Sequence, residues 1–472
     1  MRYNFTTDNG MKKERQKRQK KQKSQEKQKK QKIQDVNILS LFERSIITCP
    51  ILFKYIEPDG ALSLDDIIGY TGPIFANPYI DNSVWSIRSL CRLAQCNRNI
   101  KSLVYPFIQK HIIYTSSMIR ECHDSNIITK RYQQNGQILT EYKIPIRHEV
   151  PIILLIDEKN IELSSLHHLP FKVRKIILND KFDGQLKYED FNKGNGSLMN
   201  NLRELTFGYY YNQPLLAGVL PTTLTKLNFG RHYNKPLDCG VFPSSLKKIY
   251  FGDEFNQLLN QNVLPDSLTW LTFSENFDKP LLPGVLPNGL KILSMIFCNF
   301  NQTIQHNVLP SSLEILNFGK LFNKPLNPGV LPSKLKSLWF RGNFNQPLES
   351  GVFPQSLLYL DLGEKFNQPL KKGVLPTNLE CLDLGNSFDQ FLESDVFPNN
   401  IEYLNFGNIF NHKLYPYVLP TSLKVLKFGK EYNQIIETGV LPASIKLITF
   451  DKVFDKTNIQ TPLNNTVQLL FV

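Results

Sequence analysis

No apolar run in this 472-residue chain approaches the roughly 20 residues that a membrane span needs, so an integral membrane protein is not expected. A secretory h-region is also missing: the first 32 residues are polar and rich in lysine. The seven cysteines are odd in number and scattered. Without an export signal they read as reduced thiols in an intracellular, cytoplasmic or nuclear setting. The eight histidines form no Cys/His pattern with metal spacing. Cys91-x4-Cys96 and Cys122-His123 read as ordinary thiols on helices or loops. There is no G-x-S-x-G or H-E-x-x-H motif. Gly319-Lys320 and Gly429-Lys430 lack the upstream glycine of a phosphate-binding loop. No catalytic residue, cofactor or metal is therefore expected, and the chain reads as a non-enzyme.

What charge there is lies at one end. Between Lys12 and Lys32 there are twelve Lys/Arg against two acids, so this stretch supplies ten of the formal +13. It contains no apolar residue, which predicts a disordered Lys/Gln-rich low-complexity tail over 1–33. Two readings fit: a solubilising extension, or a nuclear import signal with a nonspecific hold on nucleic acid or another polyanion. No aromatic residue interleaves these lysines, so stacking on bases has no support.

The rest is dominated by repetition. An aromatic followed by Asn or Asp begins at Tyr211, Tyr233, Phe255, Phe277, Phe300, Phe322, Phe344, Phe366, Phe388, Phe410, Tyr432 and Phe454. Every step is 22 residues except the 23 from Phe277 to Phe300. An earlier copy starts at Phe182-Asp183, with an insertion before Leu202. Each copy continues through x-Pro-Leu, Gly-Val-Leu-Pro and Ser-Leu-x-x-Leu-x-Phe-Gly. This period and leucine spacing predict a leucine-rich-repeat-like solenoid of about 12–13 coils over 161–472, with its short strands in one parallel stack. One coil buries too little apolar surface to offset the entropy of ordering it, so neighbours must close its sides. The return segments have little room for a helix, and their prolines lack an amide donor, so they should be extended or 3₁₀.

Turn chemistry agrees. The residue before Val in the Gly-Val-Leu-Pro phrase is usually Gly, with Asn262, Asn307, Asp395 and Tyr417 as the other residues there. Gly, Asn and Asp tolerate left-handed backbone; Tyr417 has no such reason to be there. The Asn after each aromatic is expected to point inward and bond to backbone, forming a column.

The phrase F-N-x-P-L-x-x-G-V-L-P-x-S-L-x-x-L-x-F-G resembles the FNIP repeat, a relative of the leucine-rich repeats. Phe344 to Gly363 and Phe366 to Gly385 are the best copies. Most copies place Gln or Lys, not Ile, after the Asn. The resemblance covers roughly Leu169 to Val472 and implies architecture rather than activity. Some proteins of this family carry an F-box ahead of the repeats, which implies a substrate adaptor that docks a ubiquitin-ligase linker protein.

Residues 34–160 are expected to form a small, mainly helical domain, with helices at Val36–Phe42 and Ser86–Val104. Ser89 to Val104 is similar to the later helices of an F-box, although the usual Leu-Pro opening is absent. The alternative is a cap over the first coil, its first strand at Pro151–Ile156. At the other end, Val467–Val472 should finish the stack.

Function is expected on the outward face of the strands. Alternation turns Leu227 and Phe229 inward and their neighbours outward. The outward positions include Tyr250, Trp270, Trp339, Tyr359, Asp361, Asp383, Tyr403 and Lys427. Exposed aromatics on a concave sheet anchor protein partners, and packing between neighbouring strands is the other use for such residues. On the first reading, removing Trp339 weakens partner binding and changes stability little. The function expected is thus a protein-interaction scaffold, or an F-box-type adaptor.

Overall fold

The computed structural model describes residues 173–192, 201–463 and 466–472, and the backbone of strands at 112–115, 127–134, 137–145 and 152–156. Four strands precede the repeats: β1 (Ile112–Thr115), β2 (Ile127–Gln134), β3 (Gln137–Pro145) and β4 (Ile152–Ile156). They lie in the segment expected to be mainly helical, and all of its described residues are strand. The tail, the expected helices and the F-box-like stretch fall outside the described residues. β2 and β3 form an antiparallel pair.

Fourteen strands follow: β5 (Val173–Leu178), β6 (Glu204–Thr206), β7 (Lys226–Asn228), β8 (Lys248–Tyr250), β9 (Trp270–Thr272), β10 (Ile292–Ser294), β11 (Ile315–Phe318), β12 (Ser337–Phe340), β13 (Tyr359–Asp361), β14 (Cys381–Asp383), β15 (Tyr403–Asn405), β16 (Val425–Lys427), β17 (Leu447–Phe450) and β18 (Gln468–Phe471). One sheet of 16 strands runs β1-β4-β5 and then in chain order to β18. The strand expected to open a cap at 151–156 is β4, which pairs in parallel with β1 on one side and β5 on the other. The sheet is therefore continuous across residue 161. β18 pairs with β17 in the same register as the repeats.

Each strand is short because a 22-residue coil must leave and re-enter the stack. The central residue of each strand points into the core. Leu205, Leu227, Ile249, Leu271, Leu293 and their successors face one another across the stack and are fully buried. Two further columns complete the interior. The ring that opens each coil, from Phe182 to Phe454, stacks on the next with centroids 6.1–6.3 Å apart and nearly parallel planes. That separation with parallel planes is an offset stack. Where a ring stands at or just after the end of a strand, it packs on the opening ring of the next coil, as Phe251 does on Phe255 at 4.0 Å and Phe340 on Phe344 at 3.9 Å.

Hydrogen bonds bind coil to coil. The Asn column is present, and its bonds cross between coils rather than closing a coil's own turn. Each Asn or Asp Oδ1 accepts from the backbone N–H of the equivalent residue one coil later, as in Asn234 to Asn212, Asn323 to Asn301 and Asn367 to Asn345, at 2.9–3.0 Å. The Gln that follows often adds a second bond, as Gln346 Nε2 does to Asn323 Oδ1. Serines before the strands donate to the preceding coil: Ser245 Oγ to the Leu224 carbonyl and Ser356 Oγ to the Leu335 carbonyl, both at 2.6 Å. The return segments, expected to be extended or 3₁₀, run through turns and irregular backbone, with a 3₁₀ turn at Lys456–Asn458. Among the described residues the α-helix is α1 (Tyr188–Asn192), inside the insertion of the first copy.

All eleven turn positions singled out from the sequence have φ between 59° and 87°, Tyr417 among them at 69°.

Candidate protein-binding face

The face of the sheet opposite the core carries two rows of side chains. The first precedes each buried central residue and includes Trp270, Tyr359, Cys381 and Tyr403. The second follows it and includes Tyr250, Asn317, Trp339, Asp361, Asp383, Asn405 and Lys427. Register places Trp339 beside Asp361, Asp361 beside Asp383, Asp383 beside Asn405, and Asn405 beside Lys427. The eight residues expected on this face therefore form two groups. Tyr250 and Trp270 sit on β8 and β9; the other six lie on β12 to β16. Strands β10 and β11, with Ile292, Ser294, Ile315 and Asn317, separate them.

One expectation needs correction. Tyr250, Trp270 and Trp339 point outward from the core, but they are not exposed: 8%, 8% and 5% of their surface is accessible. Parallel strands bring the side chains of one face within packing distance, and these large rings use that proximity. The Lys226 ammonium lies 5.2 Å from the Tyr250 ring centre, and Lys248 lies 4.8 Å from that of Trp270. Tyr250 and Trp270 also contact each other at 6.0 Å. Trp339 meets the edge of Tyr359 at 5.4 Å, and the Arg341 guanidinium sits 5.5 Å over its ring. Trp339 is thus a covered ring packed on its neighbours, where an exposed one was expected. Tyr359, Asp361, Asp383, Tyr403 and Lys427 are half-buried.

The two indoles differ in their polar contacts. Trp270 Nε1 donates to Thr272 Oγ1 at 3.0 Å. Trp339 Nε1 is buried and has no acceptor among the described residues.

Asp361 and Asp383 are built alike. Each ends its strand two residues before a glycine whose amide donates to the carboxylate, Gly363 to Asp361 at 2.8 Å and Gly385 to Asp383 at 2.9 Å. Asn405 repeats the turn with Gly407 and donates its Nδ2 to Asp383 Oδ2 at 2.8 Å. Among the described residues neither carboxylate lies within ion-pair distance of a cation. Burial, and next the neighbouring Asp383 charge, push the Asp361 carboxyl well above the usual range. Asp383 is also raised by burial, opposed by the Asn405 and Gly385 hydrogen bonds and by the charges of Lys427 and Arg341. Arg341 could not be anticipated from strand alternation. The visible sign was that Arg stands at the position where most coils have the glycine after the strand.

Among the described residues no group of three or more His, Cys, Asp and Glu could hold a metal ion. No helix there is long and apolar enough to cross a membrane.

The stacked coils, with their Phe-Asn column and strand-ending glycines, match the model of the FNIP Repeat at residues 194–232, 233–276, 277–321, 322–365, 366–408 and 410–452. The chain belongs to the FNIP repeat family. Its FNIP coils are leucine-rich-repeat-like in structure. The solved structure of CroV588, described as a novel circular LRR protein, has 36% identity over 68% of this chain and 49% of its own, with a TM-score of 0.59. The FNIP chain thus spans about half the length of that protein. The Toll–Spätzle complex of Drosophila is 15% identical over 67% of this chain and 49% of its own, with a TM-score of 0.48. InlJ from Listeria monocytogenes is 15% identical over 63% of each chain, with a TM-score of 0.42. No curated protein matches the FNIP chain.

Proposed function

We propose that this FNIP-repeat solenoid is a non-enzymatic protein-interaction scaffold, and that the partner docks on the outward face of its sheet. One observation carries the reading. The columns that build the coil barely change along the stack, whereas the outward rows change at almost every strand: Lys248, Trp270, Ile292, Ile315, Ser337, Tyr359, Cys381, Tyr403 and Val425 stand in one register. A repetitive framework thereby presents a non-repetitive surface, which is what recognition of one partner requires. The surface mixes tyrosine, tryptophan and charge, the composition of protein interfaces.

The test is lysine cross-linking of the full-length chain to proteins captured from its native cell, read by mass spectrometry. Links concentrated at Lys424, Lys427 and Lys446, beside the outward rows, support the reading. Links confined to Lys371 and Lys372, in the return segments, would place the partner elsewhere and defeat it.

A further inference from the structure

Charge is spread unevenly along the outward face. At one edge of it a column of residues, one per coil, runs along the stack. Arg203, Thr225, Lys247 and Thr269 each donate a backbone amide to the carbonyl of the residue one coil earlier, beginning with Arg174, at 2.8–2.9 Å. The next members are Lys291, Glu314 and Lys336. There the charges pair within the column, Glu314 lying 3.6 Å from Lys291 and 2.7 Å from Lys336. Farther along, Lys424 pairs with Glu402. From β5 to β9 the column has no such pairing. Among the described residues Arg174, Arg203 and Lys247 have no carboxylate at ion-pair distance.

Lys175, Lys226 and Lys248 stand in the adjoining outward row and carry the same sign. Over β5 to β9 the column and this row hold six cations and one acid, Glu204, which lies 3.5 Å from Lys175. Strands about 4.8 Å apart keep these like charges close, where they repel. The cations are also held in place. Lys226 and Lys248 lie over the Tyr250 and Trp270 rings, and Arg203 donates to the Thr223 carbonyl at 2.8 Å. Preset charges lose little freedom on docking. Arg174 and Lys247 are exposed, and Arg203 and Lys248 are half-buried, so a partner reaches all four. Lys226 is covered and acts through its field.

Such a surface complements an anionic occupant. Single-stranded nucleic acid gains most from stacking its bases on rings, and the rings here are covered. A duplex presents two phosphate chains across each groove, whereas these cations form one band on strands that are only three residues long from β6 to β9. An extended peptide fits a band of that width. The chain's own Lys-rich stretch between Lys12 and Lys32 has the wrong sign to fill it.

We propose that the outward face from β5 to β9 docks an acidic segment of the partner protein, with Arg174, Arg203, Lys247 and Lys248 meeting its Asp and Glu side chains. This rests on the scaffold reading and specifies the partner's chemistry in one part of the face.

The probe is a fluorescein-labelled dodecapeptide of alternating Glu and Gly, followed by anisotropy at low salt. A Ser-Gly peptide is the reference. In the full-length protein used, the basic residues between Lys12 and Lys32 are replaced by Gln, so that they do not hold the peptide themselves. The Glu-Gly peptide should bind roughly tenfold more tightly than the Ser-Gly peptide, and Arg174→Gln with Lys247→Gln should weaken it by roughly fivefold. Adding Arg203→Gln should weaken it further. Lys371→Gln with Lys372→Gln, in the return segments, should change nothing. Thermal melts on each variant show that it is folded. Equal affinity for the two peptides, or unchanged affinity in the Arg174/Lys247 variant, would overturn the proposal. So would an oligothymidylate of equal charge that binds more tightly than the Glu-Gly peptide and is weakened by the same variant, because nucleic acid would then be the occupant. Self-association at low salt that this variant abolishes would also overturn it, by making a second copy the occupant. A partner cross-linked to the outward face with no Glu-Gly binding sinks this proposal alone, whereas links confined to Lys371 and Lys372 sink the scaffold reading whatever the peptide does.

Discussion

The backbone amide of Asn345 donates to the side-chain Oδ1 of Asn323, 3.0 Å away and one full coil earlier. The same Oδ1 accepts from Gln346 Nε2 at 2.9 Å, so a single atom serves two donors of the next coil. Asn323→Ala leaves both without their partner inside the stack. A loss of about 1–3 kcal/mol is expected, with faster amide hydrogen exchange at residue 345. Asn323→Asp keeps the acceptor and should be nearly neutral, because Asp278 Oδ1 accepts from the Asn301 amide in the same column. Equal destabilisation by both variants would show that the column contributes through packing alone.

Gly230 and Gly218 are needed for different reasons, and alanine separates them. A Cβ on Gly230 would lie 1.8 Å from the Gly208 carbonyl oxygen, a backbone atom of the adjacent coil. Gly218 has open space around the same position but sits at φ 76°. Gly230→Ala must push coils apart and should cost roughly 3 kcal/mol or more. Gly218→Ala pays only for left-handed backbone, about 1 kcal/mol. Chemical denaturation of the two variants checks the order.

Tyr417 adopts φ 69° where seven of the eleven equivalent positions are glycine, and its side chain is 86% exposed. Little packing offsets that backbone. Tyr417→Asn, the residue used at Asn262 and Asn307, should therefore stabilise by roughly 0.5–1 kcal/mol. A lower melting temperature in Tyr417→Asn would mean that the ring makes contacts worth more than the strain.

Asp361 gives a pH dependence with a definite sign. Its carboxyl is raised in the folded chain by burial and by Asp383, with Glu364 adding to the rise and Arg341 and the Gly363 amide opposing it. A raised carboxyl binds its proton more tightly when folded. Its stabilising contribution is present below the ordinary carboxylate range and is lost as the pH rises toward neutrality. Asp361→Asn removes the charge and still offers Oδ1 to Gly363. It should raise the melting temperature at pH 7 and flatten the decline between pH 4 and pH 7. An unchanged profile would show that Asp361 is well solvated.

Much of this was legible beforehand because it depends on local rules repeated many times. The 22-residue period named the coil, the aromatic and leucine positions named its interior, and the glycine positions named its left-handed turns. Asn345 could be placed in a column but its bond could not be assigned, since a side chain's partner one coil away depends on register. Alternation correctly turned Trp339 away from the core, yet it said nothing of Arg341 above the ring or Tyr359 at its edge.

The sequence by itself determined that successive coils must stack, because each carries apolar side chains it cannot bury alone. Only the tertiary structure decided what the outward face is like: three of its rings covered, two carboxylates set side by side, and one indole N–H left without an acceptor. Those features arise from residues a coil apart in the chain being brought into neighbouring strands, and a distance of that kind is fixed by strand register rather than by any local preference.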